Sequence, residues 1–196
     1  MFWLIITIGL WGLVHSLLAS MGFKNLLRKT LGDGFMKFYR VLYNLFAVMS
    51  IAPIFHLMIS LPNSILYQVP APWKYMMLVG QGISALFLLI ALLQTDLLSF
   101  AGLRQLIEAE TPGNLVSGGL YRMVRHPLYT FSLLILWLSP SMTVNSFVVY
   151  TALTTYVLIG ILFEERKLLR EFGNDYANYR LTTPMLLPGL KWLRNK

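Results

Sequence analysis

The densest run of reactive side chains is Gly118-Gly-Leu-Tyr-Arg-Met-Val-Arg-His-Pro-Leu-Tyr129, which sets Tyr121, Arg122, Arg125, His126 and Tyr129 around Pro127. A proline donates no backbone hydrogen bond and restricts the residue before it, so His126 is expected at a bend whose polar backbone can bind something. Further along, Glu164-Glu-Arg-Lys167 puts twin carboxylates at the end of an apolar run. Acids beside hydrocarbon are costly unless they meet cations. Pairing with Arg166, Lys167 or Arg170 at helical spacing would satisfy them, and so would a cationic ligand. Tyr176 and Tyr179, followed by Thr182-Thr-Pro-Met-Leu-Leu-Pro188, could fold back over these groups as a lid or pack at the interface. The same residue types also make an interfacial basic and aromatic anchor.

Other polar residues carry less. His15-Ser16 and His56 lie inside apolar runs, where a lone histidine is ordinarily a hydrogen-bonded packing residue; a haem-binding anchor would need both. Asp96 is expected to cap a helix or pair with a base. No metal-ligand spacing, GxSxG, P-loop or GxGxxG occurs, and no metal is expected. With no cysteine, disulfides, thiolate metal sites and covalent thiol catalysis are excluded.

The elements that position these groups follow from composition. Of 196 residues, 57% are apolar and 12% charged, about half the roughly 25% charge of a soluble domain. The mean hydropathy is +0.64. A soluble fold of this size cannot hide so much apolar surface, so an all-α integral membrane bundle is expected. Met1–Ser20, Val41–Leu61 (interrupted by Pro53) and Tyr75–Gln94 are each near the ~20 residues that cross a bilayer. Met1–Ser20 has no basic leader region and is expected as a first membrane helix, not a cleaved signal. Val144–Phe163 is another full span, whereas Pro127–Ser139 is short and must recruit residues upstream of Pro127 or run shallow. About five transmembrane helices are therefore expected in one domain over 1–196. Residues 1–95 would form three spans, and 96–196 a helical hairpin with a cytoplasmic C-terminal helix from Glu164 to about Phe172, stopped at Gly173, and a lid.

Loop 21–40, segment 96–126 and tail 164–196 hold 15 of the 16 Lys and Arg residues. The positive-inside rule makes their side cytoplasmic and puts the N-terminus outside, in the inner membrane. The net charge of +8 then reflects topology and anionic lipid headgroups; no nucleic acid and no obligate protein partner are expected.

The run Leu115-Val116, Gly119-Leu-Tyr121, Arg125-His-Pro-Leu-Tyr129, then Glu164-Glu165, Phe172-Gly173, Tyr176, Tyr179, Pro184 and Pro188 resembles the integral-membrane methyltransferases typified by isoprenylcysteine carboxyl methyltransferase. Upstream, Val14-His-Ser-Leu-Leu-Ala-Ser20, Gly22-Phe-Lys24, Tyr39-Arg40 and Phe100-Ala-Gly-Leu-Arg-Gln105 look more like the bacterial branch containing methanethiol S-methyltransferase and NnrU-like proteins. The resemblance implies S-adenosylmethionine held by Asn114, Leu115, Val116, Tyr121, His126, Pro127, Leu128, Tyr129 and Glu164, with Glu165 beside it. Two positions depart from the isoprenylcysteine branch. Gly160 stands where that branch has a substrate-binding arginine, and Gly113 where it tends to have histidine. Without that arginine a small or neutral nucleophile fits better than a carboxylate, so a small thiol such as methanethiol is the favoured acceptor. A lipidic acceptor (isoprenylcysteine or an amine headgroup) and a non-enzymatic NnrU-like role in nitrogen-oxide metabolism are the alternatives. Arg125, His126 or His15 could assist ionisation of the thiol, and nothing in the sequence selects among them.

Overall fold

A computed structural model describes residues 2–107 and 114–189. In chain order the elements are α1 (Phe2–Ala19), α2 (Met21–Ser60), β1 (Ile65–Gln68), α3 (Trp73–Leu93), α4 (Leu97–Ala101) and α5 (Arg104–Ile107), then a 3-10 turn (Gly119–Arg122), α6 (Pro127–Trp137), β2 (Ser141–Thr143) and α7 (Val144–Thr182). The protein is all-α apart from the two-stranded pairing of β1 with β2. Helices α1, α2, α3 and α7 are long and apolar enough to cross a membrane. Much of their apolar surface, including Leu10, Val48, Val79 and Leu86, is exposed, as lipid-facing side chains must be.

One local expectation changes, and two others are made specific. The basic stretch 21–40, expected as a loop, is helical and continues into the second span, broken only at Gly32 (φ 79°, ψ 173°). Ser20 starts this helix by accepting a bond from the Phe23 amide at 3.2 Å, and the Lys, Arg and Leu residues that follow are good helix formers. The short span does not recruit residues upstream. Pro127 begins α6 and His126 (φ −124°, ψ 63°) lies outside it, since proline suits a helix's first position and disfavours helix before it. At 11 residues, α6 rises only about 16 Å. Gly173 (φ 53°, ψ −123°) breaks the helix where a stop was expected, and a second helical segment runs on from it to Thr182.

The chain forms two compact units. The first comprises Met1–Ser64, Asp96–Pro112 and Thr143–Val149. Here α1 packs along α2, and the Tyr39 hydroxyl donates to the Leu18 carbonyl at 2.6 Å. The Asn44 amide donates to the carbonyls of Phe100 and Ala101, each at 3.0 Å. Asp96 both caps and pairs: it accepts from the Ser99 amide at 3.1 Å and meets Arg104 at 3.1 Å. The Ser99 bonds hold its carboxyl below the ordinary carboxylate range. The second unit comprises Ile65–Thr95, Gly113–Met142 and Tyr150–Lys196. Its α3 packs against α6, with Phe87 against Phe131 at 5.2 Å and the Gln81 amide donating to the Ile135 carbonyl at 2.7 Å. Gln94, just past α3, accepts from the Leu120 amide at 3.0 Å and so anchors the 3-10 turn that leads into the polar run.

Gly102 combines a left-handed backbone (φ 87°) with an approach that would put a Cβ 2.8 Å from the Val41 amide nitrogen. Gly102→Ala is therefore expected to cost roughly 1–3 kcal/mol from backbone strain, with the contact adding to it. Gly9→Ala, where a Cβ meets nothing within 4 Å, should be neutral or slightly stabilising. Thermal unfolding of both variants in detergent checks the contrast.

Candidate active site

The polar side chains of the second unit converge where α6 begins. With Pro127 fixing the helix start, the two residues before it lie outside the helix, and a C-terminal strap bonds to their backbone amides. The Arg125 amide donates to the Pro184 carbonyl at 2.9 Å and the His126 amide to the Met185 carbonyl at 3.2 Å. One turn into α6, the Thr130 hydroxyl donates to the Leu186 carbonyl at 2.8 Å. Pro184 and Pro188 keep the strap from becoming helical, so its carbonyls are free to accept. The segment expected as a lid does fold back, and it is bonded down.

Beneath the strap is a buried ion cluster. Arg125 donates through Nε to Glu165 Oε1 at 2.7 Å and through Nη1 to the Thr183 carbonyl at 2.6 Å. Arg180 Nε lies 3.5 Å from the other Glu165 oxygen, and His126 Nε2 lies 3.3 Å from Oε1. Glu165 thus faces three basic groups. Its neighbour Glu164 points elsewhere, as successive residues on a helix must. Glu164 Oε2 is 3.7 Å from His126 Nδ1 and is buried without a hydrogen-bond partner. Tyr129 stacks on the His126 ring at 5.6 Å. The Tyr179 hydroxyl donates to the Tyr121 carbonyl. Tyr176 is 1% exposed, and its buried hydroxyl also has no partner. Burial, with the nearby Glu164 charge, pushes the Tyr121 hydroxyl up to about 12, so it stays a neutral donor at any physiological pH.

Of the residues singled out in sequence, Tyr121, Arg125, His126, Tyr129, Glu164 and Glu165 gather around this cluster, with Pro127 as its hinge. Asn114, Leu115 and Val116 precede the 3-10 turn, Asn114 exposed and the other two half-buried, and Leu128 is half-buried in the first turn of α6. None of these four takes part in the bonds described above. Gly113 lies outside the described residues. Neither acid uses Arg166, Lys167 or Arg170 among the described residues; all three are exposed. Arg125, named in sequence as a candidate for thiol ionisation, spends its guanidinium on Glu165 and the strap, which is a holding role. His15 belongs to the first unit, where it stacks on Trp11 at 5.0 Å and its Nε2 sits 2.7 Å from the Tyr43 hydroxyl. His56 is exposed on α2. No group of three metal-ligating side chains occurs among the described residues.

Arg180, Thr183 and Thr130 were missed in the sequence. Arg180 follows Tyr176 by one helical turn and Thr130 follows His126 by one, so same-face spacing was the available signal. Also unseen was a cavity of about 870 Å³ walled by Leu133, Leu134, Trp137 and Leu158, with Arg125, Glu165 and Arg180 at its polar end.

An all-α membrane protein with a buried acid–base cluster sealed by a C-terminal strap is the class that these features define. Within it, the chain belongs to the family described as a protein of unknown function, DUF1295, which it matches over residues 20–183. It is similar to a methanethiol S-methyltransferase of Crocosphaera subtropica, 34% identical over 193 residues, 92% of this chain and 72% of that protein. It is also similar to the methanethiol S-methyltransferase of Pseudomonas deceptionensis (40% identical over 95 residues, 46% of this chain). Methanethiol S-methyltransferase 2 of Bradyrhizobium diazoefficiens is 43% identical over 95 residues, 45% of this chain. The matched region covers only 36% of the length of each of the last two relatives. No solved structure matches the chain.

Removing one partner of a buried ion pair leaves the other uncompensated, at roughly 3–5 kcal/mol. Arg125→Ala should destabilise the protein by about that much and release the strap. Thermal unfolding combined with limited proteolysis after Arg180 reads both effects. Arg125→Lys, which keeps the charge but loses the fork that reaches both Glu165 and Thr183, should fall between wild type and Arg125→Ala.

Proposed function

We propose that the chain is an integral-membrane methyltransferase that passes the methyl group of S-adenosylmethionine to a small thiol of the methanethiol type. The observation that carries this reading is the division of labour between the twin acids. Glu165 is neutralised within the protein, while Glu164 presents a buried oxygen with no hydrogen-bond partner. A buried, unpartnered carboxylate oxygen is costly, and an ammonium group would satisfy it. The donor's cationic groups also match the tyrosine faces around His126. The residues present therefore fit this cofactor. Glu164 would hold its ammonium, Tyr121 and Tyr129 would line its charged centre, and Asn114, Leu115, Val116, Pro127 and Leu128 would flank the rest. When bound, it supplies an electrophilic methyl group on a sulfonium.

The protein's own contribution is positioning and exclusion of water. Methyl transfer needs in-line alignment more than acid–base machinery. The Arg125–Glu165 pair and the strap fix His126 and set where Glu164 points. A thiol of cysteine type has a pKa of about 8.5 and a simple alkyl thiol is less acidic, so the acceptor must lose its proton on the way to attack. His126, with Nε2 against Glu165 and Nδ1 toward Glu164, is the imidazole placed to take its proton. The names of the relatives support a thiol acceptor. The distribution of basic residues supports an inner-membrane location with the N-terminus outside and this site on the cytoplasmic side.

Calorimetry in detergent tests the donor site. Wild type should bind S-adenosylmethionine. Glu164→Gln, which keeps the shape and removes the charge, should bind at least about tenfold more weakly, since a hydrogen bond to a charged group is worth roughly 1.5–3 kcal/mol. Headspace analysis of protein supplied with methanethiol and donor should detect dimethyl sulfide. A folded wild-type protein that ignores S-adenosylmethionine would overturn the proposal.

A further inference from the structure

We infer that the cavity between α6 and α7 is the acceptor chamber, and that it takes neutral lipophilic thiols much larger than methanethiol. This rests on the methyl-transfer reading above and concerns what the enzyme accepts. The about 870 Å³ of space falls in the range of about 300–1,000 Å³ that holds drug-sized ligands. A thiol with one carbon would leave most of it empty.

The chamber's shape follows from helix spacing. Thr130, Leu133, Leu134 and Trp137 recur on one face of α6 and line it, and Leu158 faces them from α7. From Thr130 to Trp137 the helix rises roughly 10 Å, room for an extended alkyl chain lying along it. Away from the polar end, Trp137 Nε1 donates to the Thr154 hydroxyl at 2.9 Å and ties the α6 wall to the α7 wall. The polar end is formed by Arg125, Glu165 and Arg180. Both guanidinium groups there are drawn to Glu165, which suits a neutral headgroup better than a carboxylate. Glu165 also joins the two sides: it lines the chamber and holds His126, the residue beside Glu164. A thiol whose chain lies between the leucines would thus present its sulfur at the polar end, toward the donor site.

The reaction stays balanced for any chain length. The thiol sulfur forms a bond to the methyl carbon, the carbon–sulfonium bond breaks, and its electron pair returns to sulfur to leave a neutral thioether. The thiol proton passes to His126 and from there to water on the polar side. Longer chains gain from burial in the chamber, about fourfold in affinity per methylene (~0.8 kcal/mol).

Steady-state kinetics on ethanethiol, butanethiol and hexanethiol beside methanethiol, at fixed detergent and saturating donor, tests this. KM should fall severalfold with each step in chain length, and the methyl alkyl sulfides should appear as products. Leu134→Trp and Leu158→Trp, which fill the chamber from opposite walls, should each lower the ratio of hexanethiol to methanethiol kcat/KM at least tenfold. Donor binding by calorimetry reports that each variant is folded. Turnover of methanethiol with hexanethiol refused, or KM flat along the series, would overturn the chamber and leave the methyltransferase reading standing. A protein that binds the donor yet methylates no thiol would overturn the chamber and the thiol acceptor together.

Discussion

The contact between Arg125 and Glu165 organises the whole of the second unit's polar end. It joins the segment before α6 to the inner end of α7, and the same guanidinium reaches the Thr183 carbonyl and so holds the strap. Charges this deeply buried lose several kcal/mol of hydration each. The arrangement is stable because nearly every lone pair and proton around it is used. Arg180 and His126 share the load on Glu165, and backbone carbonyls from the strap take the remaining donors. Replacing the pair with hydrocarbon of similar volume could keep the fold. It could not keep His126 where it is.

That last point links packing to chemistry. Two adjacent glutamates look interchangeable in a sequence, yet the helix turns them about 100° apart. One therefore belongs to the scaffold, and the other is left facing a histidine and a tyrosine with an unsatisfied oxygen. The scaffold acid makes the second acid available, because Arg125 and Arg180 are already drawn to Glu165. Tyr121 reports the same environment, since its hydroxyl is kept neutral by burial and by the Glu164 charge.

Much of this was legible in the residues. The apolar runs announced the membrane helices, Pro127 announced the bend at His126, and the paired acids and tyrosines announced a polar pocket. Partners separated by long stretches of chain were not legible. Nothing local says that Glu165 will choose Arg125 over Arg166 or Lys167, because the choice depends on how α7 faces the start of α6. The loop reading of 21–40 failed for a different reason. Its basic residues were read as a loop because of their charge, although lysine and arginine are good helix formers. The cavity was invisible because it is a gap bounded by α6, α7 and the strap, and no one of these segments shows it alone.

The strap also sets an order of events. Residues 183–186 lie downstream of every helix among the described residues, yet they supply the carbonyls that Arg125, His126 and Thr130 bond to. While the chain is being made, Arg125 and its future carboxylate partner are separated by an entire hairpin that has to enter the bilayer first. The Arg125 cluster therefore closes only after α7 is in place, and a chain stalled after α7 would lack the carbonyls that Arg125, His126 and Thr130 bond to.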